Sequence, residues 1–351
     1  MKNLKKILSL LLAFLMLFAV VAGCGASENE EAQEPEDGEQ EEVVADKSEI
    51  TIGVCMGSIN HPVHRIVQMG FLETSDNLGY RGIVSGLDEG SLQELLTKWE
   101  SAITNGMSGA LIWAGDDSCY SFMRDNAELC KFVVPHFAHT YEDTKTFISR
   151  NICCLAADYG KTAAEYVLEQ LAAKGVTEGT IGLTQSGPNV TENAAADAFR
   201  ETINNSGTAF KVADTVFEGV EVVEATNKVS AVIQSNPDIV GGFGTTGASA
   251  QSWAAAMTNT GKTDLVVVGV DYVELNLNLV EEGAISAVVA QPLYDEAKLS
   301  AETLDALFNG EDFSGSEEDW RVTLDAPLAT TDGDLSEYRD IVSRVKDYFN
   351  D

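Results

Sequence analysis

The chain has 351 residues, with 22 Lys and Arg against 56 Asp and Glu, and a formal net charge of −34. No basic patch stands out, which makes nucleic acid and anionic membrane surfaces poor partners. About 300 residues from Ser48 onward give chain enough for two domains. They hold about −27 of the charge, because residues 1–49 carry four lysines and eleven acids.

The first segment, MKNLKKILSLLLAFLMLFAVVAGC, has a basic start, an apolar run and small residues before a cysteine. It reads as a secretory signal that is removed. Val21-Ala22-Gly23-Cys24 resembles the bacterial lipoprotein processing box. The resemblance implies loss of residues 1–23 and acylation of Cys24, which becomes the mature N-terminus. Each buried lipid CH₂ then contributes roughly 0.8 kcal/mol of membrane affinity. Residues 24–48 hold almost nothing to bury and ten acids between Glu28 and Asp46. Such a segment cannot offset its ordering entropy and is expected to be an extended tether. The protein is therefore expected on the extracytoplasmic face of the cell membrane, held by lipid alone.

Beyond the tether, strands and helices alternate. EITIGVCMG is a strand and residues 62–79 a helix; RGIVSGL is a strand. The helix SLQELLTKWESAITNG opens on a Ser91–Glu94 capping box and stops at Gly106. GALIWAG is a strand, residues 118–130 a helix and KFVVPHF a strand, and TFISRNICCLA runs extended. DYGKTAAEYVLEQLAAKG is a helix and GTIGLTQ a strand. The next helix is expected to open at Thr191. FKVADTVF is a strand, EVVEATNKVSAVIQSN a helix and DIVGGFG a strand. Residues 248–260 form a helix, DLVVVGVD a strand, ELNLNLVEEG a helix, AISAVVAQ a strand and residues 294–309 a helix. Finally, LSEYRDIVSRVKDYF carries an apolar stripe suited to packing on the outside.

Short, wholly apolar strands between helices mean parallel sheets covered on both faces. The expected class is α/β: two doubly wound parallel-sheet domains with a ligand cleft between them. Three crossings, near residues 155, 291 and 320, would give one lobe of residues 49–155 and 292–320 and another of 156–291 and 321–351. In such sheets ligands bind outside the carboxyl ends of the strands.

Four histidines are present, as two HxxH pairs, each after an apolar strand: His61 with His64, and His136 with His139. Five cysteines remain besides Cys24: Cys55, Cys119, Cys130, Cys153 and Cys154. Their spacings match no zinc module, and they read as small core residues. No nucleophile elbow, P-loop or dinucleotide fingerprint occurs, so no enzyme activity and no cofactor are expected.

The runs IGVCMGSINHP, NPDIVGGFGTTGASA and KTDLVVVGVDYVELNLNLVEEGAISAVVAQPLYDEA carry a resemblance to the ribose- and galactose-type periplasmic binding proteins of bacterial sugar ABC transporters, over about residues 50–310. The resemblance implies a two-lobed type I fold, a monomer, a permease as partner, and hydrogen bonds from Asp271 and Gln291 to sugar hydroxyls. Elsewhere the family pattern changes. His61, Pro62 and His64 replace Asn-Pro and two aromatics after the first strand. Trp113 and Asp116 follow the third strand, and His136 and Phe137 the fourth. Asn193 stands roughly where an arginine is frequent, and Thr246 where Asn-Asp is usual. His61, His64, Trp113, Asp116, His136, Phe137, Asn193, Thr246, Asp271 and Gln291 are thus the expected ligand residues, with a sugar or sugar-like polyol as ligand. The alternatives are a metal held by His61, His64, His136 and His139, an anionic ligand at helix N-termini, and a receptor reporting to a sensor kinase.

Overall fold

The computed structural model describes residues 46–115 and 117–350. The signal segment, Cys24, the tether as far as residue 45, and Asp116 lie outside the described residues. No helix among those described is long and apolar enough to cross a membrane.

The strands of the first lobe are β1 (Thr51–Gly57), β2 (Arg81–Leu87), β3 (Met107–Ile112), β4 (Lys131–His136) and β5 (Arg150–Cys153). Between them run α1 (Pro62–Asn77), α2 (Leu92–Thr104) and α3 (Tyr120–Asn126). The second lobe follows with α4 (Ala156–Ala173), β6 (Glu178–Gln185), α5 (Val190–Asn205), β7 (Ala209–Val212), β8 (Val216–Phe217) and α6 (Val222–Ser235). It continues with β9 (Ile239–Gly244), α7 (Ser249–Thr260), β10 (Val266–Val270), α8 (Glu274–Glu281) and β11 (Ala287–Val289). The chain ends with α9 (Leu293–Phe308), β12 (Arg321–Thr323), β13 (Leu328–Thr330) and α10 (Ser336–Phe349).

Two sheets result. The first has the order β12-β5-β4-β3-β1-β2; the second has β13-β11-β10-β9-β6-β7, with β8 also paired to β6. All pairings are parallel except that of β13 with β11. Strand β10 explains why. Its residues, VVVGV, are buried without alternation, as both faces of a helix-covered sheet require. Trp253 shows how tightly α7 seats on that second sheet. Its ring would lie 2.4 Å from a Cβ on Gly242 and 2.5 Å from one on Gly182, so the two strands beneath it must carry glycine there.

The chain passes between sheets after β5, after β11, and between β12 and β13. The last passage falls later than residue 320, because Arg321–Thr323 pairs with β5 in the first sheet. Sequence reading missed β12 and β13, since RVTLDAPLAT has no apolar run. It also expected one strand across FKVADTVF, which is divided into β7 and β8. The Ser91–Glu94 capping box forms as expected. Helix α5 starts at Val190 instead of Thr191, capped by Asn189, whose side chain accepts the Glu192 N–H at 2.8 Å.

Helix α10 follows a strand of the second sheet yet touches elements of both lobes. Arg339 pairs with Glu281 and Lys346 with Glu274 on α8. Arg344 pairs with Glu73 on α1 and its Nη2 donates to the Tyr294 hydroxyl on α9, while Phe349 lies under the Arg65 guanidinium at 5.0 Å.

Candidate functional site

The carboxyl ends of both sheets face one cavity of about 560 Å³. In the first sheet β3 lies between β1 and β4, and the aromatic residues after these strands meet in series. His61 caps α1 and its ring lies 5.2 Å from that of His64. His64 meets Trp113 at 5.4 Å, edge-on. Trp113 stacks on His136 at 4.6 Å with only 17° between the planes, and meets Phe137 edge-on at 5.4 Å. Gly115 makes room for Phe137, whose ring would lie 3.1 Å from any Cβ there. His136 and Phe137 line the cavity, while Trp113, His64 and His61 carry the ring series outward from them.

His136 sits at the end of β4 with φ +71°, an uncommon conformation that histidine tolerates better than most side chains. Its Nδ1 lies 3.1 Å from Oε2 of Glu296, and the other carboxylate oxygen of Glu296 accepts the Cys154 N–H at 3.1 Å. Burial pushes the imidazole toward neutrality, but the carboxylates of Glu296 and Asp271 oppose it, and the net shift is upward.

The second sheet supplies the opposite wall. Asp271 follows β10 with φ +72°. It is 7% exposed, and its Oδ1 is buried without a hydrogen-bond partner. Burial pushes its carboxyl up to about 6; His136 pulls it down and Glu192 pushes it further up. Its Oδ2 lies 2.4 Å from where a Cβ on Gly247 would stand, so only glycine fits beside it. Asn276 holds this corner: its Nδ2 is 3.0 Å from the carbonyls of Gly247, Val270 and Asp271. Gln291 after β11, Thr245 and Thr246 after β9, and Tyr159 complete the lining beside residues 188–192.

Four donors converge on Glu192: the Ser186 N–H at 2.7 Å, the Ser186 hydroxyl, Asn189 Nδ2 at 2.8 Å and the Thr245 hydroxyl at 2.7 Å. Sequence reading missed Glu192 and chose Asn193, which is exposed, bonds to Gln185 at 3.1 Å and is not among the lining residues. The signal was present: Asn189-Val190-Thr191-Glu192 is a capping pattern that puts a glutamate at the first turn. Glu296 gave no such signal, because its partners lie far away in the chain.

His139 does not join the other three histidines. Its Nδ1 accepts from the Tyr120 hydroxyl at 2.7 Å, its Nε2 donates to the Ala114 carbonyl at 3.0 Å, and its N–H donates to Asn151. Both ring nitrogens are used inside the first lobe, so the four-histidine metal arrangement does not assemble. His136, Cys154 and Glu296 do offer three ligand atoms within 4.8 Å of one another, all buried. Burial, then the neighbouring Glu296, pushes the Cys154 thiol far up, which disfavours the thiolate a metal requires. We expect His139→Ala to lower stability by about 1–3 kcal/mol through orphaned buried partners. Ligand affinity should stay within twofold, which thermal melts and titration of the same variant would check.

Two α/β lobes whose strand ends face one cavity, with sheet orders of this kind, define a type I periplasmic-binding-protein fold. The chain belongs to that family: the model described as "Periplasmic binding protein domain" matches residues 52–312. Its fold and family are those of a binding protein and not of an enzyme. Three solved structures are similar. One is a sugar-binding protein of a sugar ABC transporter from Bacillus halodurans, at 17% identity and TM-score 0.73, covering 82% of this chain and 99% of that one. The second is an arabinose binding protein from Geobacillus stearothermophilus, at 19% identity and TM-score 0.70, covering 81% and 97%. The third, a carbohydrate transporter solute binding protein from Agrobacterium radiobacter in complex with D-arabinose, has 19% identity and TM-score 0.71, covering 85% and 99%.

Proposed function

We propose that this protein captures a small polyhydroxylated molecule, a sugar or sugar-like polyol, by closing its two lobes, and hands it to an ABC permease. The observation that carries this reading is the buried Asp271 oxygen without a partner, beside Gln291 and facing the ring wall of His136 and Phe137. A carboxylate only accepts and an amide both donates and accepts, so together they suit vicinal hydroxyls. Aromatic rings suit the apolar face of a sugar. The similar structures named for sugars, one with D-arabinose bound, support the same reading. In this proposal the protein works as a monomer, lipidated at Cys24 on the outer face of the membrane.

Closure follows from extra contacts made only in the closed state. Small-angle scattering should show compaction when a matching carbohydrate is added, with a rise in melting temperature. Unchanged scattering and melting across a carbohydrate panel would overturn the reading. A second reading, a metal at His136, Cys154 and Glu296, rests on their shared geometry. Zinc or nickel raising the melting point at low concentration, in wild type but not in Cys154→Ser, would favour it.

A further inference from the structure

The charges around the cavity narrow the ligand further. The lining contains two carboxylates, Glu192 and Asp271, and no lysine or arginine among the described residues. His136 offsets them only in part, because its Nδ1 also faces the buried Glu296 at 3.1 Å. Glu192 has its four internal donors, so it gives the cavity charge without spare acceptor capacity. Asp271 is the reverse: one oxygen is buried and waits for a donor.

A neutral sugar could donate a hydroxyl to that oxygen. It would leave two carboxylates enclosed together when water leaves the cleft, and buried charge is costly unless paired. A protonated amine would also donate to Asp271, and unlike a hydroxyl it brings a positive charge to pair with the carboxylate. It would also offset the field of Glu192. Phe137 and Tyr159 line the same cavity, and aromatic side chains there suit a cation as well.

We infer that the ligand carries a protonated amine among its hydroxyls, as an amino sugar or aminopolyol does, with the amine on Asp271 and Glu192 nearby. This rests on the polyol reading above and adds the charge.

The test is calorimetric titration of the full chain with matched sets: glucosamine and galactosamine, their N-acetyl forms, glucose and galactose, and the hydroxyl-free diamine putrescine. At least one amino sugar is expected to bind tenfold or more tightly than its neutral and N-acetyl counterparts. Asp271→Asn, which keeps the shape and removes the charge, is expected to erase that preference. If neutral sugars bind as well as or better than the amines, or the preference survives in Asp271→Asn, the charge inference is overturned and the polyol reading stands. If putrescine binds more tightly than any amino sugar, the polyol reading fails and the cationic one is kept. If no member binds, both are overturned.

Discussion

Asp271→Asn is expected to make the unliganded protein more stable at neutral pH while crippling ligand capture. The carboxyl of Asp271 is raised from an ordinary 3.8 to about 6, with burial as the main cause. A raised carboxyl means that the folded state holds the proton more tightly than the unfolded chain. Its stabilising share is complete below about pH 4 and is lost as pH rises through 6. Above that, the ionised group costs about 2–3 kcal/mol. The groups facing it are His136, which draws it down, and Glu192, which pushes it up, with Glu296 behind His136. Asparagine removes the ionisation, and it tolerates the positive φ that the position demands. Calorimetry at pH 7.5 should place the apo variant a few degrees above wild type, and at pH 4 the two should converge. Affinity should fall by roughly 5- to 150-fold, the loss expected for a missing buried hydrogen-bond partner. A variant melting below wild type at pH 7.5 would mean that the carboxylate is compensated in the apo protein.

The second large effect is expected at Glu218, which lies outside the cavity and is fully buried. Its carboxylate accepts from the Ser249 hydroxyl and, at 2.6 Å, from the Ser252 hydroxyl, both in the first turn of α7. A negative charge there is favoured by the free N–H groups of the helix start. Ser249 in turn accepts the Thr246 N–H at 3.4 Å, so the carboxylate steadies the loop that lines the cleft. Glu218→Ala leaves the buried Ser249 hydroxyl short of an acceptor, leaves Ser252 only the Ser249 carbonyl at 3.1 Å, and opens a cavity, and should destabilise by roughly 2–4 kcal/mol. Glu218→Gln keeps an acceptor and the volume, and should lose less. Thermal melts of both, with deuterium exchange across residues 245–260, would check this; equal melting of Glu218→Ala and wild type would refute it. Burial raises the Glu218 carboxyl while Ser249 and Ser252 hold it down, and the net shift is upward, so wild type should lose part of its advantage over both variants as pH rises.

The sequence was most legible where one physical signal was local and sufficient. Uninterrupted apolar runs between helices required covered parallel sheets, while Asp271 and Gln291 were expected from the family resemblance, and both line the cavity. The histidines show where that reasoning stops. After β1, His61 is the N-cap of a helix that starts at Pro62, so His61 and His64 stand three apart at one helix start and their rings lie near each other. After β4, residues 137–140 are not helical, so the same spacing has no such meaning and His139 turns inward to Tyr120. Trp113 was placed by its strand end, but its stacking on His136 depends on the sheet order, which periodicity alone does not contain. Glu296 and Glu218 were invisible for a related reason. A buried carboxylate is explained by its partners, and these lie 142 or more residues away for Glu296 and 31 or more for Glu218.

The terminal helix α10 has a mechanical consequence. Chain passages set an axis about which two lobes can swing, but stiffness about that axis depends on what else ties the lobes together. Arg344 on Glu73 and Phe349 under Arg65 fasten the helix to α1, while Arg339 and Lys346 fasten it to α8. It therefore acts as an outrigger, making the swing depend on half-exposed ion pairs that dissolved salt weakens. In the proposed closure, ionic strength is therefore expected to tune how readily the lobes move even for an uncharged ligand.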